Sequence, residues 1–308
     1  MTDAILVLGA GGFVGRNLVT SLARRGLPVI AVSRGGLVTE HALIDSVIGD
    51  FRHPEHFGPL LQRSRAVVHL ATTSTPGTSA ARPLQEIETN LHLTATLLQA
   101  MHEHPGVELL YVSSGGSLYA DTTTEPSREF ATLQPRSYHG AAKLAAETFI
   151  SAWCNQTGGK ATVLRPSNVY GPGQPERKGF GIIPAAFGAM LRNEVLHIWG
   201  DGTARRDYIF IDDLVELCTL VLTRPAPTGH RTFNACSGTS ISLNELLTIM
   251  ESVSGRSLKR SYERGRTVDA SCIAMDPSLA AQVYGWRHQT SLEAGLGRTW
   301  EQFCRDAH

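Results

Sequence analysis

The stretch Ala4-Ile-Leu-Val-Leu-Gly-Ala-Gly-Gly-Phe-Val-Gly15 decides the fold of this chain. An apolar run typical of a buried strand leads into Gly9, Gly12 and Gly15, and apolar residues then recur at helical spacing. Glycines permit a tight strand-to-helix turn and a close approach of the backbone to a phosphate group, while a helix N-terminus offers free N–H groups and the positive end of its dipole. This arrangement predicts a binding loop for the pyrophosphate of a dinucleotide.

Apolar runs and helical stretches alternate through the first half of the chain. The apolar runs are Ile5–Leu8, Val29–Val32, Val47–Ile48, Val67–Leu70, Leu109–Val112 and Val163–Leu164. The helical stretches lie near residues 13–25, 54–63, 83–103 and 137–156. The alternation predicts an α/β fold with a Rossmann-type, doubly wound parallel sheet. We expect residues 1–165 to form a dinucleotide-binding domain, with later segments contributing, and residues 166–308 to form mainly a smaller substrate-binding part.

The charge balance argues against a polyanionic partner. The 308 residues include 28 Lys plus Arg and 28 Asp plus Glu, so no overall field favours nucleic acid or an acidic membrane. The five cysteines are scattered, which predicts a reduced interior and no metal site. The N-terminus shows no signal-peptide pattern, and no apolar run approaches the roughly 18 residues of a membrane span. We therefore expect a cytoplasmic protein that binds a small, specific anion.

The residues after the second and third predicted strands bear on the choice of dinucleotide. Ser33 and Arg34 stand where an acidic residue often accepts hydrogen bonds from an unphosphorylated ribose. A guanidinium beside a small hydroxyl residue suits a 2′-phosphate instead, although Arg34 also fits a solvated surface arginine. Asp50 could accept from an adenine amino group or be solvated.

Several motifs together resemble one family, the extended short-chain dehydrogenases/reductases, and in particular nucleotide-sugar epimerases and dehydratases similar to UDP-glucose 4-epimerase. The resemblance runs nearly end to end. Besides the glycine triplet, it includes Val68-His69-Leu70-Ala71, Ser113-Ser114-Gly115-Gly116-Ser117-Leu118-Tyr119, Lys143 with Glu147, Arg165-Pro166-Ser167-Asn168-Val169-Tyr170-Gly171, Trp199-Gly200-Asp201-Gly202, Arg206-Asp207-Tyr208, and Arg266 with Asp269.

The resemblance implies a set of binding residues. The cofactor, NAD or NADP, would contact Gly9, Gly12, Phe13, Val14, Gly15, Ser33, Arg34, Asp50, Leu70, Ala71, Lys143 and Pro166. The sugar nucleotide would contact Asn168, Arg206, Arg266 and Asp269, with both arginines on the diphosphate. A near-neutral protein that binds a pyrophosphate needs such convergent guanidinium groups. Arg206 could alternatively form an ion pair with the adjacent Asp207.

The predicted catalytic helix departs from the family pattern. Relatives carry Tyr-x-x-x-Lys, but here the position four residues before Lys143 holds His139, and Tyr138 stands one residue earlier. Four helical residues advance about 400°, which places His139 within roughly 40° of Lys143, whereas Tyr138 lies about 140° away. Tyr138 could swing in only if the helix begins at or after His139. A neutral imidazole is a competent base at pH 7, so His139 remains a candidate.

The second catalytic element also departs from the pattern. The Ser or Thr that relatives place four residues before the strand-end tyrosine corresponds to Gly115. Ser117 and Ser114 flank this position, and some relatives use the position of Ser117 as an acid/base or hydrogen-bond donor. We therefore take Ser117 first and Ser114 second as candidates, although serines also cap turns of this kind.

Three functions fit these residues. The first is an epimerase that oxidises a sugar carbon with a bound dinucleotide and returns the hydride to the other face. The second is an NADPH-dependent reductase of a keto-sugar nucleotide, favoured by Arg34. The third is a binding protein without turnover, suggested by His139. Family resemblance also implies a homodimer through helices near 83–103 and 137–156, where an apolar stripe comprises Leu84, Ile87, Leu91 and Leu98.

Overall fold

The computed structural model describes residues 3–37, 41–75, 78, 81–122, 125–177, 180–224, 229–265 and 270–307. The strands are β1 (Ala4–Leu8), β2 (Val29–Ser33), β3 (Ile44–Ile48), β4 (Ser64–His69), β5 (Glu108–Val112), β6 (Ala161–Pro166), β7 (Asn168–Tyr170), β8 (Val195–Trp199), β9 (Arg205–Phe210), β10 (His230–Ala235), β11 (Ser240–Ser242), β12 (Lys259–Glu263) and β13 (Cys272–Ile273).

Helices cover the strands. They are α1 (Phe13–Arg24), α2 (Gly58–Leu61), α3 (Pro83–Gln85), α4 (His92–Met101), α5 (Gly115–Leu118), α6 (Tyr138–Thr157), α7 (Ile182–Arg192), α8 (Ile211–Thr223), α9 (Leu243–Ser254), α10 (Ser278–Tyr284) and α11 (Leu292–Asp306). A 3₁₀ turn spans Pro54–His56, and a π-helix spans Glu86–Leu91 between α3 and α4.

The central sheet confirms the predicted fold. Within the described part of the chain, seven parallel strands follow the order β10-β6-β5-β4-β1-β2-β3. Strand order reverses at β1, which pairs with β2 on one side and with β4 on the other. In open sheets of this type, ligands bind at such a reversal, outside the carboxyl ends of the strands. The loop that follows β1 lies at this point.

Two glycines of the first loop are required by close contacts. Gly9 has a φ of +88°, and a Cβ there would lie 2.8 Å from the Ala71 backbone nitrogen. A Cβ at Gly15 would lie 2.2 Å from the Gly9 carbonyl oxygen. Any side chain at either position would force the strand, the loop and α1 apart, so these glycines fix the sharp turn that the sequence predicted.

The second half of the chain is partly built into the first sheet. β10 pairs with β6 along its whole length, so a segment beyond residue 166 completes the central sheet. The remaining strands form smaller sheets, in which β9 pairs with β7, β11 and β13, and β8 pairs with β12. One apolar core runs from β1 and α1 to α8 and α11 and joins the two halves. Within the described ranges, no helix is long and apolar enough to cross a membrane.

Candidate active site

The loop after β1 presents an uncapped helix N-terminus. Helix α1 begins at Phe13 with Gly12 as its N-cap, and it has neither a side-chain cap nor an acidic residue in its first turn. The first N–H groups of a helix have no partner within the helix, so here these groups and the dipole remain available to an anion. The loop therefore fits a dinucleotide pyrophosphate held by Gly12, Phe13, Val14 and Gly15.

The end of β2 carries a buried hydroxyl without a partner. In the described structure the Oγ atom of Ser33 is buried and makes no hydrogen bond, and a Cβ at Gly11 would lie 3.5 Å from it. A buried polar atom normally has a partner, so this hydroxyl fits a ligand that brings one, such as the ribose of a dinucleotide. Arg34 beside it is exposed. Asp50 is exposed and pairs with Arg52 at 2.7 Å, which makes it a solvated carboxylate in this structure.

Strand ends supply the remaining predicted cofactor contacts. Leu70 and Ala71 follow β4, with the Leu70 N–H donating to the Leu8 carbonyl (2.9 Å), and Pro166 ends β6. Lys143 on α6 donates from Nζ to the carbonyl of Val112, the last residue of β5, at 2.9 Å. These residues come from four neighbouring strands and one helix, and they meet at the same edge of the sheet.

Helix α6 places His139 inside and Tyr138 outside. Ser137 caps the helix, its Oγ accepting from the Gly140 N–H at 3.1 Å, and the helix begins at Tyr138. The condition under which Tyr138 could swing towards Lys143 is therefore not met. His139 is 7% exposed and Tyr138 is 46% exposed. The geometry favours His139 as the group beside Lys143.

Burial holds both basic side chains below their usual pKa values. Burial, assisted by the Lys143 ammonium, lowers the pKa of His139 to about 4. Burial lowers the pKa of Lys143 to about 8, while Glu147 and Glu86 oppose that shift. At pH 7 His139 is consequently a neutral imidazole next to an ammonium group. A neutral ring can exchange a proton with a substrate hydroxyl, which keeps proton-transfer chemistry open at this position.

The His139 ring contacts a residue that the sequence motifs did not indicate. Its Nδ1 lies 3.0 Å from Ser74 Oγ, and Ser74 in turn accepts from Asn90 Nδ2 at 2.9 Å. Asn90 also donates to Glu86, which is buried in the π-helix. Such π-helices are frequent at functional sites. The spacing of Glu86 and Asn90 by four residues was the available sequence signal, but only the fold brings them to Ser74.

The serine loop after β5 lacks a side chain at its central position. Ser114 donates from Oγ to Ser117 Oγ at 3.0 Å, so the two predicted serines lie in contact. Gly115 between them packs against Met275, which is fully buried. The Ser114 and Ser117 hydroxyls can orient each other, and their proximity to the N-terminus of α6 is shown by the close approach of Gly140 to the Ser117 carbonyl.

Strand β9 separates Arg206 from the carboxylate beside it in sequence. Asp207 is 1% exposed and accepts from the N–H groups of Ser237 and Gly238 and from the Ser237 hydroxyl. Arg206 is half-buried, donates to the Arg205 carbonyl at 2.8 Å and enters no ion pair among the described residues. The alternative of an Arg206–Asp207 pair is thus wrong, and the guanidinium is available to an anion.

Asn168 opens the substrate side of the site. It is exposed, and its Nδ2 donates to the Asp207 carbonyl at 2.9 Å. A Cβ at Gly116 would lie 4.0 Å from Asn168 Oδ1, so Asn168 borders the serine loop. Arg266 and Asp269, the other predicted substrate contacts, lie outside the described residues.

Comparison with known proteins identifies the family of this chain. The sequence profile described as the NAD dependent epimerase/dehydratase family matches residues 5–236. The chain is 29% identical to UDP-glucose 4-epimerase of Mycolicibacterium smegmatis, over 97% of each chain, and 26% identical to dTDP-4-dehydro-6-deoxyglucose reductase of Escherichia coli, over 96% of each. The structure of UDP-glucose 4-epimerase from Thermotoga maritima with UDP-glucose superposes with a TM-score of 0.91 at 30% identity, covering 99% of this chain and 100% of the other. This chain therefore belongs to the NAD dependent epimerase/dehydratase family, as its motifs predicted.

Proposed function

We propose that this protein is an NAD(P)-dependent epimerase of a nucleotide diphosphate sugar, acting at C4 of a UDP-sugar. The observation that carries the proposal is the buried, neutral His139 beside Lys143, whose Nζ donates to Val112 at the same edge of the sheet as the dinucleotide loop after β1. The similarity to two UDP-glucose 4-epimerases along nearly the whole chain supports the substrate class and the reaction.

In this proposal, separate residues bind the cofactor and transfer the proton. A bound nicotinamide dinucleotide supplies a reversible hydride acceptor, held by the α1 N-terminus, Ser33 and Lys143. His139 exchanges a proton at Nε2 with the hydroxyl of the sugar carbon that is oxidised and then reduced. Its low pKa, about 4, makes an imidazolium at this position a ready proton donor, so the proton returns easily to the oxygen.

The substrate oxygen has further candidate partners. Ser117 and Ser114 lie together at the end of β5 and can hydrogen-bond the reacting oxygen without taking a charge. We assign Asn168 and Arg206 to the binding of the sugar nucleotide, with Arg206 on the diphosphate; the guanidinium of Arg206, which donates to the Arg205 carbonyl and enters no ion pair among the described residues, supports this role. We extend the same role to Arg266 and Asp269 from the family resemblance.

A second candidate is an NADPH-dependent reductase of a keto-sugar nucleotide. The pair Ser33–Arg34 favours it, because an exposed guanidinium beside an unpartnered hydroxyl suits a 2′-phosphate, and the Escherichia coli relative is a reductase. A third candidate is a protein that binds both ligands without turnover, because a tyrosine is absent at position 139 and a Ser or Thr at position 115.

One experiment separates the three candidates. The purified chain is mixed, without added cofactor, with UDP-, GDP- and dTDP-sugars, and the sugar ring protons are followed by NMR. We expect interconversion of a UDP-sugar with its C4 epimer, loss of this activity in His139→Phe, and its retention in the neighbouring exposed control Tyr138→Phe. Consumption of NADPH by a keto sugar without epimerisation would establish the reductase instead. If the parent converts no sugar and the His139→Tyr variant does, the protein is a catalytically impaired relative.

We also propose that the protein forms a homodimer through the face formed by α3, the π-helix and α6. The members of the predicted apolar stripe differ in their exposure. Leu98 is buried against the sheet, whereas Leu84 and Ile87 are 68% and 53% exposed. Phe149 on α6 is 50% exposed as well. Sedimentation is expected to give a dimer for the parent and a monomer for Leu84→Glu/Ile87→Glu. A monomeric parent at micromolar concentration would contradict this proposal.

A further inference from the structure

A chain of hydrogen bonds runs from the π-helix to the candidate catalytic imidazole. Buried Glu86 accepts from Asn90 Nδ2 at 2.7 Å, Asn90 Nδ2 donates to Ser74 Oγ at 2.9 Å, and Ser74 Oγ lies 3.0 Å from His139 Nδ1. None of the first three residues belongs to the sequence motifs described above. The chain of hydrogen bonds therefore ends on Nδ1 of the ring. The other ring nitrogen, Nε2, has no hydrogen-bond partner among the residues that the structure describes.

The orientation of the Asn90 amide is fixed from both sides. Its Oδ1 accepts from the Thr73 backbone N–H at 2.9 Å, and a backbone N–H can only donate. Its Nδ2 faces the Glu86 carboxylate, which is an acceptor when ionised. Turning the amide over would set donor against donor at Thr73 and acceptor against acceptor at Glu86. Asn90 is therefore a donor towards Ser74.

The Ser74 hydroxyl is then free to donate its own hydrogen bond to His139 Nδ1. Its oxygen already accepts from Asn90, and within the described structure the acceptor left within reach of its O–H is His139 Nδ1. A hydroxyl that accepts one hydrogen bond becomes a stronger donor in the next, so the chain is polarised from Asn90 towards the ring. The neutral ring carries a single proton. If Nδ1 accepts a hydrogen bond from Ser74, that proton must be on Nε2.

We propose that Ser74, anchored by Asn90 and Glu86, is a positioning residue that holds His139 in the tautomer with its proton on Nε2. The Lys143 ammonium disfavours an imidazolium at His139, and the Glu86 carboxylate anchors the Asn90 end of the chain. A serine serves here where a carboxylate would not, because a carboxylate can only accept and would require the proton on Nδ1.

The consequence for catalysis rests on the proposed function. The Nε2–H form offers a donor to a carbonyl oxygen, which is the group that a keto-sugar intermediate presents. An alcohol substrate requires the opposite form, in which Ser74 turns and accepts from Nδ1–H, so that Nε2 is free to take the hydroxyl proton. That proton converts the ring to an imidazolium whose Nδ1–H is donated to Ser74, and the same proton returns from Nε2 to the substrate oxygen when the hydride returns, which restores the neutral ring. We therefore expect the free protein to rest in the form that hydrogen-bonds a carbonyl oxygen, and the Ser74 hydroxyl to turn when an alcohol binds.

The tautomer is tested without substrate by ¹⁵N NMR of the histidine rings in the full-length chain at pH 7. Comparison with His139→Gln identifies the His139 signals among the 12 histidines. We expect a protonated-type Nε2 and an unprotonated-type Nδ1, a displaced Nδ1 signal in Ser74→Ala, and restoration in Ser74→Thr, which keeps a hydroxyl. Thr148→Ala, which removes an exposed hydroxyl elsewhere on α6, should leave the His139 signals in place.

Turnover provides the second readout. Ser74→Ala should lower kcat on the order of 10-fold or more with little change in KM, because the ring is misplaced while the binding groups are intact, and Ser74→Thr should recover it. A proton on Nδ1, or His139 signals that are the same in Ser74→Ala and the parent, would overturn the inference. The expected NMR result without turnover of any sugar would uphold it and refute the proposed function alone.

Discussion

Met275 fills the space that any side chain at position 115 would need. A Cβ at Gly115 would lie 2.1 Å from the Met275 Sδ atom and 2.7 Å from its Cε atom, and Met275 is fully buried. The missing Ser or Thr is therefore matched by a bulky thioether, and the two residues form one packing unit. A hydroxyl cannot be restored at this position by a single substitution without moving Met275.

We accordingly expect Gly115→Ser to destabilise the protein by about 1–3 kcal/mol through overpacking. In a Met275→Ala background the same change should cost less, because the cavity left by the thioether receives the hydroxymethyl group. Urea unfolding of the parent, both single variants and the double variant measures this coupling. An equal cost of Gly115→Ser in both backgrounds would contradict the packing relationship.

The buried imidazole should make stability depend on pH. The pKa of His139 is about 4 in the folded protein and 6.5 by its ordinary value, so the unfolded chain binds more protons between these pH values. Stability therefore falls as the pH falls through this range, and His139 accounts for a loss of about 2 kcal/mol between pH 7 and pH 5.

His139→Asn should remove that part of the loss. The free energy of unfolding is measured at pH 7 and pH 5 for both proteins, and the parent is expected to lose more. His69, whose pKa burial lowers to about 3, acts in the same direction but is common to both proteins. Identical losses in parent and variant would show that His139 is not held neutral by the fold.

Adjacent arginines on β9 provide a matched test of substrate binding. Arg206 enters no ion pair among the described residues, whereas Arg205 is bound to Glu245 and to the Ser240 carbonyl. Arg206→Leu should weaken the binding of UDP, measured by calorimetry, about 10- to 100-fold through loss of a charge-assisted contact. Arg205→Leu is the control and should leave the affinity within a few-fold. Equal effects of both changes would refute a specific contact with Arg206.

Arg34 should decide the preference between the two dinucleotides. It is exposed at the end of β2, beside the unpartnered Ser33 hydroxyl. Arg34→Ala is expected to weaken NADP⁺ binding by about 10-fold and to leave NAD⁺ binding nearly unchanged, because only the former carries a 2′-phosphate. Arg52→Ala, an exposed arginine paired with Asp50, is the control. A parallel loss for both dinucleotides would refute 2′-phosphate recognition.

The local sequence pattern was sufficient to predict the central sheet and the dinucleotide-binding loop. The glycines at positions 9 and 15 are dictated by contacts within one strand–loop–helix unit, which the spacing of the sequence already displays. Helix geometry predicted the orientation of His139 towards Lys143, but it left Tyr138 open until the structure showed that α6 begins at Tyr138.

Contacts between segments far apart in the chain could not be predicted from the sequence. Ser74 lies 65 residues before His139 and reaches it only because the loop after β4 passes the N-terminus of α6. Met275 lies 160 residues after Gly115 and meets it through the pairing that places β13 next to β9. Neither residue stands in a motif, so nothing local indicated its importance.

The sequence by itself determined the fold, the family and the position at which the chain departs from the family's Tyr-x-x-x-Lys motif, because periodicity, glycine spacing and motifs act over short stretches of chain. Only the tertiary structure decided that His139 is buried and neutral, that Arg206 is free of Asp207, and that Ser74 contacts the ring. Burial, pKa and hydrogen-bond partners depend on which remote segments surround a side chain, and a single sequence does not display those neighbours.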